Sequence, residues 1–143
     1  MKRQNSKQVH GLVNNLQERA KELTCLYQIE ELLLDSVSPL DEILIKVTGI
    51  LPSGWQYPHV CRARVVYDGK VYQSVDFQDT PWELSADIKV QGKTVGKISV
   101  FYIREVPPAQ EGCFLKEEIK LINTIANRIS YTIIHRNMKQ VFE

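Results

Sequence analysis

VCRARVVYDGKVYQSVDF, residues 60–77, decides the fold. From Val60 to Tyr67 the side chains alternate, Asp68-Gly69 is the dipeptide that two-residue hairpin turns favour, and Val71 to Phe77 reads as the return strand. A two-residue turn sets the register: Val65 faces Tyr72, Ala63 faces Ser74 and Arg64 faces Gln73. One face then carries Cys61, Ala63, Val65 and Tyr72, small to medium residues suited to lie under a helix. The other carries Arg62, Arg64 and Gln73, framed by Val60, Val66, Val75 and Phe77.

Downstream, Trp82, Leu84, Ala86, Ile88 and Val90 alternate with polar partners, Gln91-Gly92-Lys93 turns the chain and Thr94 to Ile103 returns. At least four antiparallel strands follow. Pro107 and Pro108 stop the sheet, and a loop runs through Gly112. From about Phe114 a helical period begins, with Leu115, Ile119, Ile122, Ala126, Ile129 and Ile133 on one stripe and Leu121, Ile125, Ile134, Met138 and Val141 on a second. One stripe is expected to cover the sheet and the other to meet another helix.

Upstream, Val9, Leu12, Leu16, Leu23, Leu26 and Leu33 recur at alternating threes and fours, with Arg19 and Glu30 at the remaining seam positions. The first half of this helix has too little apolar surface for burial on two sides, so it is expected to reach toward a partner. Ser38-Pro39 followed by Asp41 starts a second helix, whose apolar face is Leu40, Ile43, Leu44, Val47 and Leu51, and Pro52 to Gly54 ends it. The fold class is therefore α+β: a central antiparallel sheet with long N- and C-terminal helices packed on one face. Residues 1–22 read as an N-terminal helical extension and 23–143 as the domain proper, ending in a long output helix.

The composition suits one soluble domain: 143 residues, 43% hydrophobic and 24% charged. Lys plus Arg is 18 against 17 for Asp plus Glu, so no global field draws in nucleic acid or an acidic membrane. The longest apolar run, Val100 to Ile103, is far too short to cross a bilayer. Cys25, Cys61 and Cys113 are odd in number and widely spaced, which argues against a disulfide framework and for a reducing cytoplasm.

Taken together, ERAKELTCLYQIEELL (18–33), LPSGWQYP (51–58), CRARVVYDGKVY (61–72), GKISVFY (96–102) and FLKEEIKLINTIANRIS (114–130) resemble a GAF domain, of the compact type found beside bacterial and archaeal histidine kinases and related regulators. The resemblance spans about residues 18–140. It implies a PAS-like antiparallel sheet, helices on one face, and a small-molecule cavity on the other. It does not imply a ligand, and the chain has neither a Cys-His dipeptide for bilin attachment nor an Asn-Lys-X-Asp-Glu string of the cyclic-nucleotide type. Some enzymes of this fold reduce free methionine sulfoxide through cysteines, which keeps a redox enzyme as the alternative.

The candidate sites divide by chemistry. Zinc needs about four ligands, and His59, Cys61, Cys25 and Cys113 are scattered over four elements, so no metal site is expected. Cys113, just before the last helix, is the one thiol that a helix dipole would favour as thiolate, yet Glu117 and Glu118 lie beside it. His135 is followed by Arg136 rather than by an acid, unlike a kinase phosphoacceptor. Arg62, Arg64 and Gln73, with Trp55, Tyr57 and Trp82 nearby, would suit an anionic ligand with an apolar body; the same arginines also fit a solvated sheet face.

The expected protein is a non-catalytic cytoplasmic signalling module that binds a small ligand, needs no cofactor, and passes a signal through its end helices to an output domain. It would form a parallel homodimer through Leu12, Leu16, Leu121, Ile125, Ile134 and Met138, in a four-helix bundle. A dimerisation module without any ligand is the second alternative.

Overall fold

Both hairpin turns place two consecutive residues in the left-handed region: Asp68 and Gly69 at φ 52° and 75°, Gln91 and Gly92 at 51° and 76°. Positive φ at both central positions matches the right-handed twist of the strands they join. The computed structural model describes the backbone of residues 2–142 and the side-chain surroundings of residues 6–139. The first turn joins β1 (Cys61–Tyr67) to β2 (Lys70–Gln73), and the second joins β3 (Glu83–Val90) to β4 (Lys93–Tyr102). Every pairing is antiparallel, the sheet order is β2-β1-β4-β3, and Arg64 faces Gln73 and Val65 faces Tyr72 as the turn requires.

The return strand is shorter than expected and stops at Gln73. Ser74 still donates its N–H to the Ala63 carbonyl at 2.9 Å, but its hydroxyl, not its carbonyl, accepts the Ala63 N–H at 2.8 Å. The same hydroxyl donates to the Thr48 carbonyl at 3.1 Å. A side chain has replaced the ladder, so the backbone is free to leave, and Asp76 takes φ 59° as it does. Residues 74–82 then cross to β3 over the sheet face that carries the arginines, where Phe77 meets Phe101 edge to face at 5.0 Å.

The helices are α1 (Lys2–Leu34), α2 (Leu40–Ile50) and α3 (Lys116–Phe142). α2 packs over β1 and β2, α3 over β3 and β4, and α1 lies against α2, α3 and the short turn at Leu51–Gly54. Leu84, Ala86 and Ile88 from β3, Ile98 and Val100 from β4, and Cys61, Ala63 and Val65 from β1 supply the sheet side of the core. Ile43, Leu44 and Val47 of α2 and Ile122, Ile125 and Ile129 of α3 supply the helix side, all fully buried.

α3 differs from expectation on one point. Leu121 and Ile125 are buried inside the protomer and belong to the core, so the second stripe is not an exposed strip. α1 covers it: its inward face is Cys25, Ile29 and the half-buried Leu26, Leu32 and Leu33. Of that stripe Ile134 is half-buried and Met138 is exposed, while the Val141 side chain lies outside the described residues. α1 is continuous across residues 22 and 23, and what changes there is burial. Every side chain from Ser6 to Gln17 is exposed, whereas Glu22, Cys25 and Ile29 are buried.

Candidate functional site

Strand parity brings three of the expected ligand residues together. Arg62, Arg64 and Gln73 share the sheet face away from the helices, with Arg64 paired to Gln73 on one side and to Ser99 on the other. The three aromatic residues do not join them. Trp55 is fully buried in the core on the helix side. Tyr57 packs edge to face on Tyr102 at 5.8 Å, and Tyr102 belongs to the same core. Trp82 precedes Leu84 by two residues and shares its inward parity, packing against the core.

The two arginines are already engaged. Arg62 donates through Nη1 to the carbonyls of His59 at 3.1 Å and Cys61 at 2.9 Å. The Arg64 guanidinium lies 5.1 Å from the ring centroid of Phe77 and 5.0 Å from that of Phe101, with an Asp79 carboxylate oxygen at 4.0 Å. Phe101 is fully buried under this cluster. Cation–π contacts of this kind stabilise by roughly 0.5–1 kcal/mol each at a partly exposed site, so Arg64 holds the 74–82 segment on the sheet. The rest of the face is a polar ladder, with Ser85 and Ser99 hydroxyls 2.8 Å apart and Lys97 3.4 Å from Glu83.

Burial works against thiolate formation at all three cysteines. Burial raises Cys25 to about 11 and pushes Cys61 far above the ordinary thiol value, with the Glu118 carboxylate adding to the effect at Cys61. Cys113 is raised as well, by burial first. The dipole that would have favoured its thiolate is spent elsewhere: α3 begins at Lys116, and Glu118, not Cys113, sits at its amino end. Among the described residues no group of three or more His, Cys, Asp or Glu side chains is placed to hold a metal ion.

Glu118, expected only as a charge beside Cys113, is fully buried and has a capping role that the sequence reading did not include. Its Oε1 accepts the Leu115 N–H at 2.7 Å and its Oε2 the Gln56 N–H at 2.8 Å, so one carboxylate caps α3 and fastens the 55–57 loop to it. Burial raises it to about 7, against the pull of those two hydrogen bonds, and Glu18 and Glu22 push the same way as burial. The signal was an acid three residues after the helix-entry position, the spacing of a capping box.

The outward faces of α1 and α3 carry exposed apolar side chains. On α1, Val9, Val13, Leu16, Leu23, Tyr27 and Leu34 are all exposed, at intervals of three, four or seven. Leu12 and Leu16 of the expected interface are each 61% exposed, and Met138 on α3 is exposed with Tyr131. Between the helices run two grooves, one of about 380 Å³ walled by Leu23, Leu26, Leu121 and Thr124, the other of about 350 Å³ walled by Leu33, Leu34, Tyr131 and Thr132. No described helix is long and apolar enough to cross a membrane. No family model matches the chain, and no curated protein matches its sequence.

Proposed function

We propose that this chain is a GAF-like signalling module that works by helix-mediated dimerisation and ligand binding, without chemistry of its own. The observation that carries the reading is the exposed heptad-spaced seam of α1, continued on α3 by Tyr131 and Met138. Contiguous apolar surface of this length marks an interaction site, and spacing by threes and fours is what a second helix needs for knobs-into-holes packing. The interface so defined is narrower than the one expected from periodicity. Leu121 and Ile125 leave it because α1 of the same protomer already covers them. A two-fold pairing of α1 and α3 gives the four-helix arrangement, and parallel alignment lets both output ends emerge together. Against the redox-enzyme alternative, burial raises all three thiols above their ordinary value, which works against an activated nucleophile.

Sedimentation velocity tests this on the wild type and on Leu16→Asp and Leu23→Asp. Both leucines are more than 60% exposed, so either change leaves the protomer folded by circular dichroism. The expected result is a wild-type dimer and variant monomers. A wild-type chain that stays monomeric at high micromolar concentration overturns the reading.

A further inference from the structure

At the opposite end of α3 from Glu118, a cleft of about 480 Å³ opens between the α1–α2 linker, the end of β1 and the last turns of α3. Its walls include Ser36, Leu40, Tyr67, Arg136, Asn137 and Lys139. The volume lies within the range of small-molecule sites.

Three features of its chemistry agree. First, among the described residues the charged side chains on its walls are Arg136 and Lys139, each cationic. Second, Arg136 is positioned but not satisfied. Its Nη2 donates to the Asp35 carbonyl at 2.7 Å, which fixes the guanidinium, while Nε is buried with no acceptor among the described residues. Third, the wall opposite is the first turn of α2, whose amino end has no side-chain cap. Pro39 accepts from the N–H groups of Glu42 and Ile43, and those of Leu40 and Asp41 have no acceptor among the described residues. Uncapped N–H groups at a helix start carry partial positive charge and favour an anion.

The first turn of α2 carries two carboxylates, Asp41 and Glu42, and of the acids flanking the cleft Asp35 and Asp41 are turned to other partners. Asp35 accepts from the Ser38 hydroxyl at 2.6 Å and from the N–H groups of Val37 at 3.0 Å and Ser38 at 2.9 Å. Asp41 accepts from the Tyr72 hydroxyl and from Lys70. Neither neutralises Arg136.

We propose that this cleft binds a small phosphate- or carboxylate-bearing molecule between Arg136, Lys139 and the open first turn of α2. The site supplies the ligand half of the function above and moves it from the arginine face of the sheet to the helix ends. A bound anion bridges the α1–α2 linker to the last turns of α3, the two places from which a change would spread into the dimer helices. Binding itself does not depend on dimerisation, so the two readings fail separately.

The test is an NMR titration of the full chain with inorganic phosphate and, separately, with succinate, at ionic strength held constant with chloride. The expected result is saturable shifts of the Leu40 and Asp41 amides and of the Arg136 Nε–H, with Arg136→Gln weakening the dissociation constant by about tenfold or more, the scale of a hydrogen bond to a charged group. Lys139→Ala, at an exposed residue that leaves the fold intact, weakens it by a few-fold. Response to only one of the two anions identifies the ligand class. Shifts that do not saturate with either anion, that centre elsewhere, or that persist unchanged in both variants overturn the site.

Discussion

The two ends of α3 are fastened to the rest of the protein by opposite charges and to opposite degrees. At the amino end the Glu118 carboxylate, wholly buried, gathers two backbone N–H groups from separate segments. Toward the carboxyl end the Arg136 guanidinium, half-buried, donates to one carbonyl and borders an open cleft. Each charge suits the helix dipole at its own end. The difference lies in the packing around them. Gly54 sits so close to Cys25 that a β-carbon there would come within 2.9 Å of its Cβ and Sγ, which leaves no slack beside the Glu118 end. The same helix is thus tightly packed at one end and borders an open cleft at the other, with similar chemistry at both.

The largest expected effect is at the closed end. Glu118→Ala leaves the Leu115 and Gln56 N–H groups without an acceptor and is expected to cost about 2–4 kcal/mol in urea unfolding, while Arg136→Ala costs about 1 kcal/mol. Equal losses at the two ends would erase the distinction.

The ends should also answer pH in opposite senses. Glu118 is raised from 4.5 to about 7, so the stability held by its neutral form is complete below 4.5 and is lost as pH rises through 7. Asp35, beside Arg136, is lowered from 3.8 to about 2 by the Ser38 hydroxyl and by two backbone N–H groups. Its contribution is complete above 3.8 and is lost as pH falls through 2. Unfolding midpoints measured across pH should fall between 4.5 and 7 in the wild type, and Glu118→Gln should flatten that slope. A wild-type profile already flat in this window would mean that Glu118 does not titrate there.

Cys113 lies just ahead of α3 but makes none of the anchoring contacts, so Cys113→Ser is expected to change stability by no more than about 0.5 kcal/mol. A larger loss would assign the thiol a part in the closed end.

The sheet was legible because two-residue turns fix register, and register fixes parity. That placed Arg62, Arg64 and Gln73 on one face and Cys61, Ala63 and Val65 under the helices. The end of β2 was not legible, since the rule for strand length says nothing of a serine hydroxyl taking over from a carbonyl. Trp55 and Tyr57 lie on or beside short turns with no period, so their faces could not be read. Periodicity identified both stripes of α3 but not what covers them, and α1 of the same chain took the place assigned to a second copy. Arg136 and Asp35 stand 101 residues apart, and no local pattern announces a contact of that separation.

The unbroken course of α1 has a mechanical consequence. Its second half is seated against α2 and α3, while the stretch from Ser6 to Gln17, about 18 Å of helix, projects without support from its own protomer. A rigid rod held along half its length is a lever with its pivot near Glu22. Rotation of the seated half by about 10° about that pivot would carry Ser6, about 24 Å away, by about 4 Å, so displacements too small to rearrange the core become large where another helix would grip it.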